Sequence, residues 1–178
     1  MNDQSSDIEY LKEVYAAARN RYRPKNIRVL LVAEAPPCAL DRFFYFEEVK
    51  THDSLFLEIM GILYPEQKKQ YLASGRDAEL KTDLLQRFQS DGYWMIDVFE
   101  TPLEETGNEL PELLNKLKKL VTPATCIILI KANIYDMCYG PLTEAGYSVM
   151  NERIPFPGSG QQGVFRKKFG KAIQQCGE

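Results

Sequence analysis

The run Val29-Leu30-Leu31-Val32 is uninterrupted aliphatic sequence, and it stops at once in Ala33-Glu34-Ala35-Pro36-Pro37. A strand with one wet face alternates apolar and polar residues. A continuous run therefore reads as a strand buried on both faces, the kind found in a parallel α/β sheet. Open α/β sheets bind ligands at the carboxyl ends of their strands. Glu34, two rigid prolines and the aromatic cluster Phe43-Phe44-Tyr45-Phe46 all follow this strand. The chain thus places a carboxylate and several aromatic faces where a ligand would sit.

The rest of the chain alternates in the same style. A first helix is predicted from about Asp7 to Tyr22, with Ile8, Leu11, Tyr15, Ala18 and Tyr22 at helical spacing. Ser6 and Glu9 form a capping-box pattern at its start. Strand one spans Ile27 to Ala33. The segment His52 to Phe88 reads as helical, with breaks at Pro65 and Gly75. Strand two is Tyr93 to Phe99. Pro111 suits the first turn of the next helix. Strand three is Cys126 to Ile130. A short helix from Ile134 to Tyr139 is expected to be interrupted at Gly140-Pro141. Strand four is Tyr147 to Ile154, and a last helix runs from about Gln162 to Gln175. Strands alternating with helices imply a parallel sheet with helices on both faces. The 178 residues suit one domain, 1–178, with a sizeable core.

Several function classes are disfavoured. No run approaches the ~18 apolar residues of a membrane span, so no membrane partner is expected. Met1 to Asp7 is polar and acidic, unlike a secretory signal; the expectation is a cytoplasmic protein. The net charge of −3 argues against binding nucleic acid through overall charge and leaves room for a local patch. Cys38, Cys126, Cys138 and Cys176 are widely scattered, with no CxxC pair. Structural zinc and iron–sulfur sites show closer ligand spacing, so no metal, cluster or other cofactor is expected. Cys126, inside an aliphatic run, reads as a small core residue. The single histidine, His52, reads as an exposed loop residue or helix-cap neighbour.

Three loops should meet at the carboxyl edge of the sheet. The first runs from Glu34 to Phe46. The second runs from Asp97 to Pro102. The third, Pro155-Phe156-Pro157-Gly158-Ser159-Gly160-Gln161-Gln162-Gly163, ends at a helix N-terminus, a setting that favours an anion. Prolines stiffen this loop and glycines permit close approach. Basic residues flank the site. Arg166, Lys167, Lys168 and Lys171 follow the third loop, and Arg19, Arg21, Arg23, Lys25 and Arg28 precede or open strand one. Both groups read as solvated faces or as phosphate contacts. Phe165, Phe169 and Ile173 are the core face of the last helix.

In order and spacing these loops resemble the uracil-DNA glycosylase superfamily. That family carries a strand followed by a short G-[QE]-x-P motif, a base-stacking aromatic some ten residues on, an Asn ending the second strand, and an H-P-S-P-like loop before the last helix. The matching residues here are Ala33-Glu34-Ala35-Pro36, Phe43/Phe44/Tyr45, Asp97, and Ile154-Pro155-Phe156-Pro157. The resemblance spans roughly residues 27 to 175. It implies a three-layer α/β/α sandwich around a four-stranded, mostly parallel sheet in the order 2-1-3-4. It also implies a base pocket formed by Ala35, Pro36, Phe43, Phe44, Tyr45 and Asp97. A phosphate-facing loop would use Pro155, Pro157, Gly158, Ser159, Gln161, Gln162 and Arg166.

The departures from the family are chemical. Its usual water-activating Asp falls on Ala35, its catalytic-loop His on Ile154 and its base-reading Asn on Asp97. Glu34 is the one inherited candidate for positioning or activating water, and uracil excision is expected to be weak or absent. An amide offers a donor and an acceptor, whereas a carboxylate only accepts. Asp97 therefore suits a ligand edge with N–H donors, or else it braces its own loop toward Thr101. Three readings remain open. One is a divergent glycosylase hydrolysing the N-glycosidic bond of a modified base in single-stranded or mismatched DNA. Another is an inactive module that binds a base, nucleotide or nucleic acid. The last is a pocket for an unrelated small ligand.

Overall fold

The computed structural model describes residues 3–102, 107–158 and 160–178. Four strands, β1 (Val29–Ala33), β2 (Tyr93–Asp97), β3 (Cys126–Leu129) and β4 (Ser148–Val149), form one parallel sheet in the order β2-β1-β3-β4. The expected order is the observed one. β1 lies inside the sheet, and all five of its residues are buried. Helices flank the sheet. They are α1 (Asp3–Arg21), α2 (Ser54–Leu63), α3 (Pro65–Ala73), α4 (Ala78–Ser90), α5 (Glu109–Leu120), α6 (Ala132–Glu144) and α7 (Gln162–Cys176). α2 packs on α7, α4 on β2 and α6 on β3. No helix among the described residues is long and apolar enough to cross a membrane.

Local chemistry accounts for the element boundaries. Asp77 caps α4 by accepting from the N–H groups of Glu79 and Leu80, the usual service of an Asp at this position. Gly92, at φ +80°, turns the chain from α4 into β2, and an added Cβ there would lie 2.9 Å from the Arg28 side chain. A left-handed turn this close to β1 favours glycine.

Three expectations need correction, and a fourth is extended. α1 begins at Asp3, so Ser6 and Glu9 lie inside the helix and do not form its capping box. α6 is not interrupted at Gly140-Pro141. It runs through Pro141, whose carbonyl still accepts from the Ala145 N–H at 3.0 Å; proline forfeits only its own donor. β4 is two residues rather than eight; beyond it Asn151 and Arg153 are exposed and bond Tyr135 and Asp136 of α6. The chain rejoins the sheet only at the Ile130–Ile154 bridge. Cys126 is a small core residue as expected, with a partner the sequence did not show. It is disulfide-bonded to Cys176, with the two Cα atoms 5.7 Å apart, within the usual bridging range.

The aromatic cluster after β1 is core. Phe43, Phe44 and Tyr45 are all buried. Phe43 sits edge-on to Tyr15 of α1, and Phe44 sits edge-on to Phe56 of α2. Tyr45 has a polar task as well. Its hydroxyl accepts from the Met95 N–H at 2.7 Å and donates to the Met95 carbonyl at 3.0 Å. Met95 belongs to β2, at the edge of the sheet, so the phenol meets backbone groups on an edge strand. Tyr45→Phe is expected to destabilise the protein by about 1–3 kcal/mol, because it strands buried backbone groups. Chemical denaturation reads this directly, and a loss below ~0.5 kcal/mol would show that water replaces the hydroxyl.

Candidate functional site

The strand register builds the site. Ala33 at the end of β1 lies opposite Asp97 at the end of β2. The chain beyond both strands stays locked: Val98 N–H donates to the Ala33 carbonyl and Phe99 N–H to the Glu34 carbonyl. On the other side, Ile130 N–H reaches Val32 and Lys131 N–H reaches Ile154. Three strand ends and the start of the third loop therefore share one edge of the sheet.

A cavity of about 110 Å³ opens there. Of the residues expected in a base pocket, Ala35, Pro36, Phe43, Phe44 and Asp97 line it. Tyr45 does not; it is turned toward Met95. The turn at Pro36-Pro37 is held from α1, where the Tyr15 hydroxyl donates to the Pro37 carbonyl at 2.5 Å. Burial, with Cys38 and Asp97 nearby, pushes the Tyr15 phenol up to about 12, so it stays a neutral donor at physiological pH.

Asp97 is buried and paired. Its Oδ2 accepts from Arg19 at 3.1 Å, across 78 residues of sequence. Burial raises its pKa above the ordinary carboxylate value, and the Arg19 guanidinium pulls it back down. The expected brace from Asp97 to Thr101 is absent: Thr101 Oγ1 has no hydrogen-bond partner among the described residues. Sequence reading assigned Arg19 to a solvated or phosphate-binding stretch. Its place four residues after Tyr15 and three before Tyr22, both core, was the signal that it faces inward.

Glu34 stands apart from this cavity. It lines a neighbouring hollow with Lys131, and the two hollows share Ala35, Leu55 and Phe156 as walls. Both carboxylate oxygens are engaged. Oε1 accepts from Asn133 at 2.6 Å and Oε2 from Lys131.

Of the described residues of the third loop, only Phe156 reaches the cavity. Its ring is about half exposed, making it the accessible aromatic of the site. Gly158 leaves room for it; a Cβ there would sit 3.2 Å from the ring. Pro157 is buried and Pro155 half-buried, while Gln161 is exposed and Gln162 partly so. The Gln161 N–H donates within the loop, to the Gly158 carbonyl. Ser159 lies outside the described residues. Arg166 makes a two-bond pair with Glu58 of α2, at 2.6 and 2.9 Å. Lys168 bonds the Arg153 carbonyl and Lys171 pairs with Glu152. These side chains serve α7 packing, and Lys167 is the exposed cation of the group for which no such contact is seen among the described residues.

Four polar residues on the cavity wall escaped the sequence reading as site residues, the exposed Arg42 among them. His52 is exposed at φ +57°. Asp53 is buried and held by both Arg76 nitrogens, at 3.0 and 3.2 Å. Lys81 of α4 is fully buried, 4.4 Å from the centroid of the Phe56 ring. Burial pushes its ammonium down to about 7, against the opposing pull of Asp53 and Glu47. Lys81 lies three, four and seven residues before Leu84, Leu85 and Phe88. That position on the apolar stripe was the available signal. The described residues contain no cluster able to hold a metal ion.

Against known proteins, no family model, no curated protein and no solved structure matches this chain.

Proposed function

We propose that this cavity binds a single planar heteroaromatic base, free or extruded from a nucleic-acid strand, and that the chain is a divergent relative of the uracil-DNA glycosylase superfamily. One observation carries the reading. An aromatic-walled cavity lies at the carboxyl ends of β1 and β2 with the Asp97 carboxylate in its wall. Its size suits the ligand class. At about 110 Å³ it is on the scale of the ~150 Å³ cavity that admits benzene. It is well below the ~300–1,000 Å³ of sites for drug-sized ligands.

Recognition without turnover is the better-supported form. Ala35 and Ile154 cannot replace the family's acid and imidazole, and Glu34 spends both oxygens on Asn133 and Lys131. A specific observation keeps N-glycosidic hydrolysis as the second form. The Glu34 hollow adjoins the base cavity through Ala35 and Phe156, so release of Lys131 would free a carboxylate beside the bound ring. A cytoplasmic setting belongs to the same proposal.

Calorimetric or NMR titration with uracil, cytosine, guanine and hypoxanthine tests binding. Saturable binding of at least one base is expected, with the preferred base altered in Asp97→Asn. Failure of every base to bind at millimolar concentration would remove the proposal. A cleavage panel of single-stranded and mismatched oligonucleotides separates the two forms. Any cleavage should fall at least tenfold in Glu34→Gln, since loss of a positioned acid–base group typically costs about 10²–10⁴ in rate.

A further inference from the structure

Lys81 is an expensive residue for its position. It is 0% exposed, and its Nζ has no hydrogen-bond partner among the described residues. An unmet buried donor is destabilising. The neighbouring carboxylates are committed elsewhere: Asp53 is held by Arg76, and Glu47 by Arg21 and Tyr22. On the apolar stripe of α4 a methionine would fill the same space without that penalty. The contact of the amine with the Phe56 ring, 4.4 Å from its centroid, favours the charge but leaves the N–H donors unmet. The residue has a second property, however: Lys81 belongs to the wall of the base cavity, where its buried amine lies over the Phe56 ring, another wall residue. The cavity wall thus carries an unmet donor at Lys81 and an acceptor at Asp97.

We propose that Lys81 is the specificity-determining donor of this cavity, hydrogen-bonding a carbonyl or oxyanion oxygen on the bound ring. Together with Asp97 it selects planar heterocycles that carry a ring C=O and an N–H. This deepens the base-pocket reading and rests on the same cavity, yet its test uses no base. Small ring probes differing in the acceptor are titrated by NMR: 2-pyridone, pyridine and benzene. Wild-type protein should bind 2-pyridone about tenfold tighter than benzene, the fold-change of one well-made hydrogen bond. In Lys81→Met the 2-pyridone affinity should fall by a similar factor while benzene binds as well or better. Equal 2-pyridone affinity in the two proteins, or no probe binding to wild type, overturns the proposal. A second measurement covers a variant that does not fold. In wild type, saturating 2-pyridone should slow trace acetylation of Lys81 by acetic anhydride several-fold, read by peptide mass mapping; unchanged labelling also overturns it. Should the nucleobase titrations fail while 2-pyridone selects through Lys81, the base reading falls and the lysine assignment stands.

Discussion

Asp97→Ala is expected to cost about 3–5 kcal/mol of stability, the largest effect of any single side-chain replacement proposed for this protein. Asp97 and Arg19 are buried together, with side-chain exposures of 4% and 14%. Burial raises the Asp97 pKa despite the guanidinium beside it, so desolvation outweighs attraction at the carboxylate. A pair of this kind contributes little net stability, but breaking it strands a buried charge. Arg19 Nε already lacks a hydrogen-bond partner among the described residues, so loss of Asp97 would strip the guanidinium of its charge partner. Two consequences separate this account from a simple packing defect. Arg19→Met should also destabilise strongly. The double replacement Arg19→Met with Asp97→Leu should recover most of the loss, because the apolar pair needs no partner. Urea unfolding at constant m-value is the measurement. A loss below ~1 kcal/mol in Asp97→Ala, or fully additive losses in the double variant, would contradict it.

Reduction of the Cys126–Cys176 bond is expected to lower stability by about 4 kcal/mol. The bond closes a loop of 50 residues, and cross-linking a chain at that separation removes about 4 kcal/mol of unfolded-state entropy in the loop-closure model. It ties the end of α7 to the first residue of β3, beside the core stripe of Phe165, Phe169 and Ala172. That stripe needs no disulfide, so the reduced protein should stay folded. For a chain of this size the melting temperature should drop by about 10 °C. Cys176→Ser should reproduce the drop and abolish any further response to reductant. A melting curve unaffected by reductant would show that the bond adds nothing. The result also bears on where the protein works. Disulfides persist in oxidising surroundings and are rare in the cytosol. A protein acting in the cytoplasm would show Cys126 and Cys176 as alkylatable thiols in fresh lysate.

The buried strands and most of the helices could be read from the sequence because they depend on local pattern, whereas the strand order came from the family resemblance. β1 and β3 are continuous aliphatic runs because parallel strands are covered on both faces, and that coverage leaves a mark in every residue. The strand ends marked the ligand edge, and the cavity walls at Ala35, Pro36, Phe43, Phe44 and Asp97 were what the family resemblance implied, with Tyr45 the exception. What the pattern did not determine was the partner of each polar group. Arg19 meets Asp97 across 78 residues, Arg166 meets Glu58 across 108, and Cys126 meets Cys176 across 50. Such pairings depend on how elements dock, and a charged residue in a helix looks the same whether it faces water or a buried carboxylate. Lys81 is the sharpest case. Its stripe position pointed inward, but only the packing of α4 against Phe56 and the first loop decided that its amine would end buried at the cavity wall without a hydrogen-bond partner. Glu34 parted from the base cavity for the same reason: Lys131 and Asn133, supplied by the chain after β3, reached its carboxylate first.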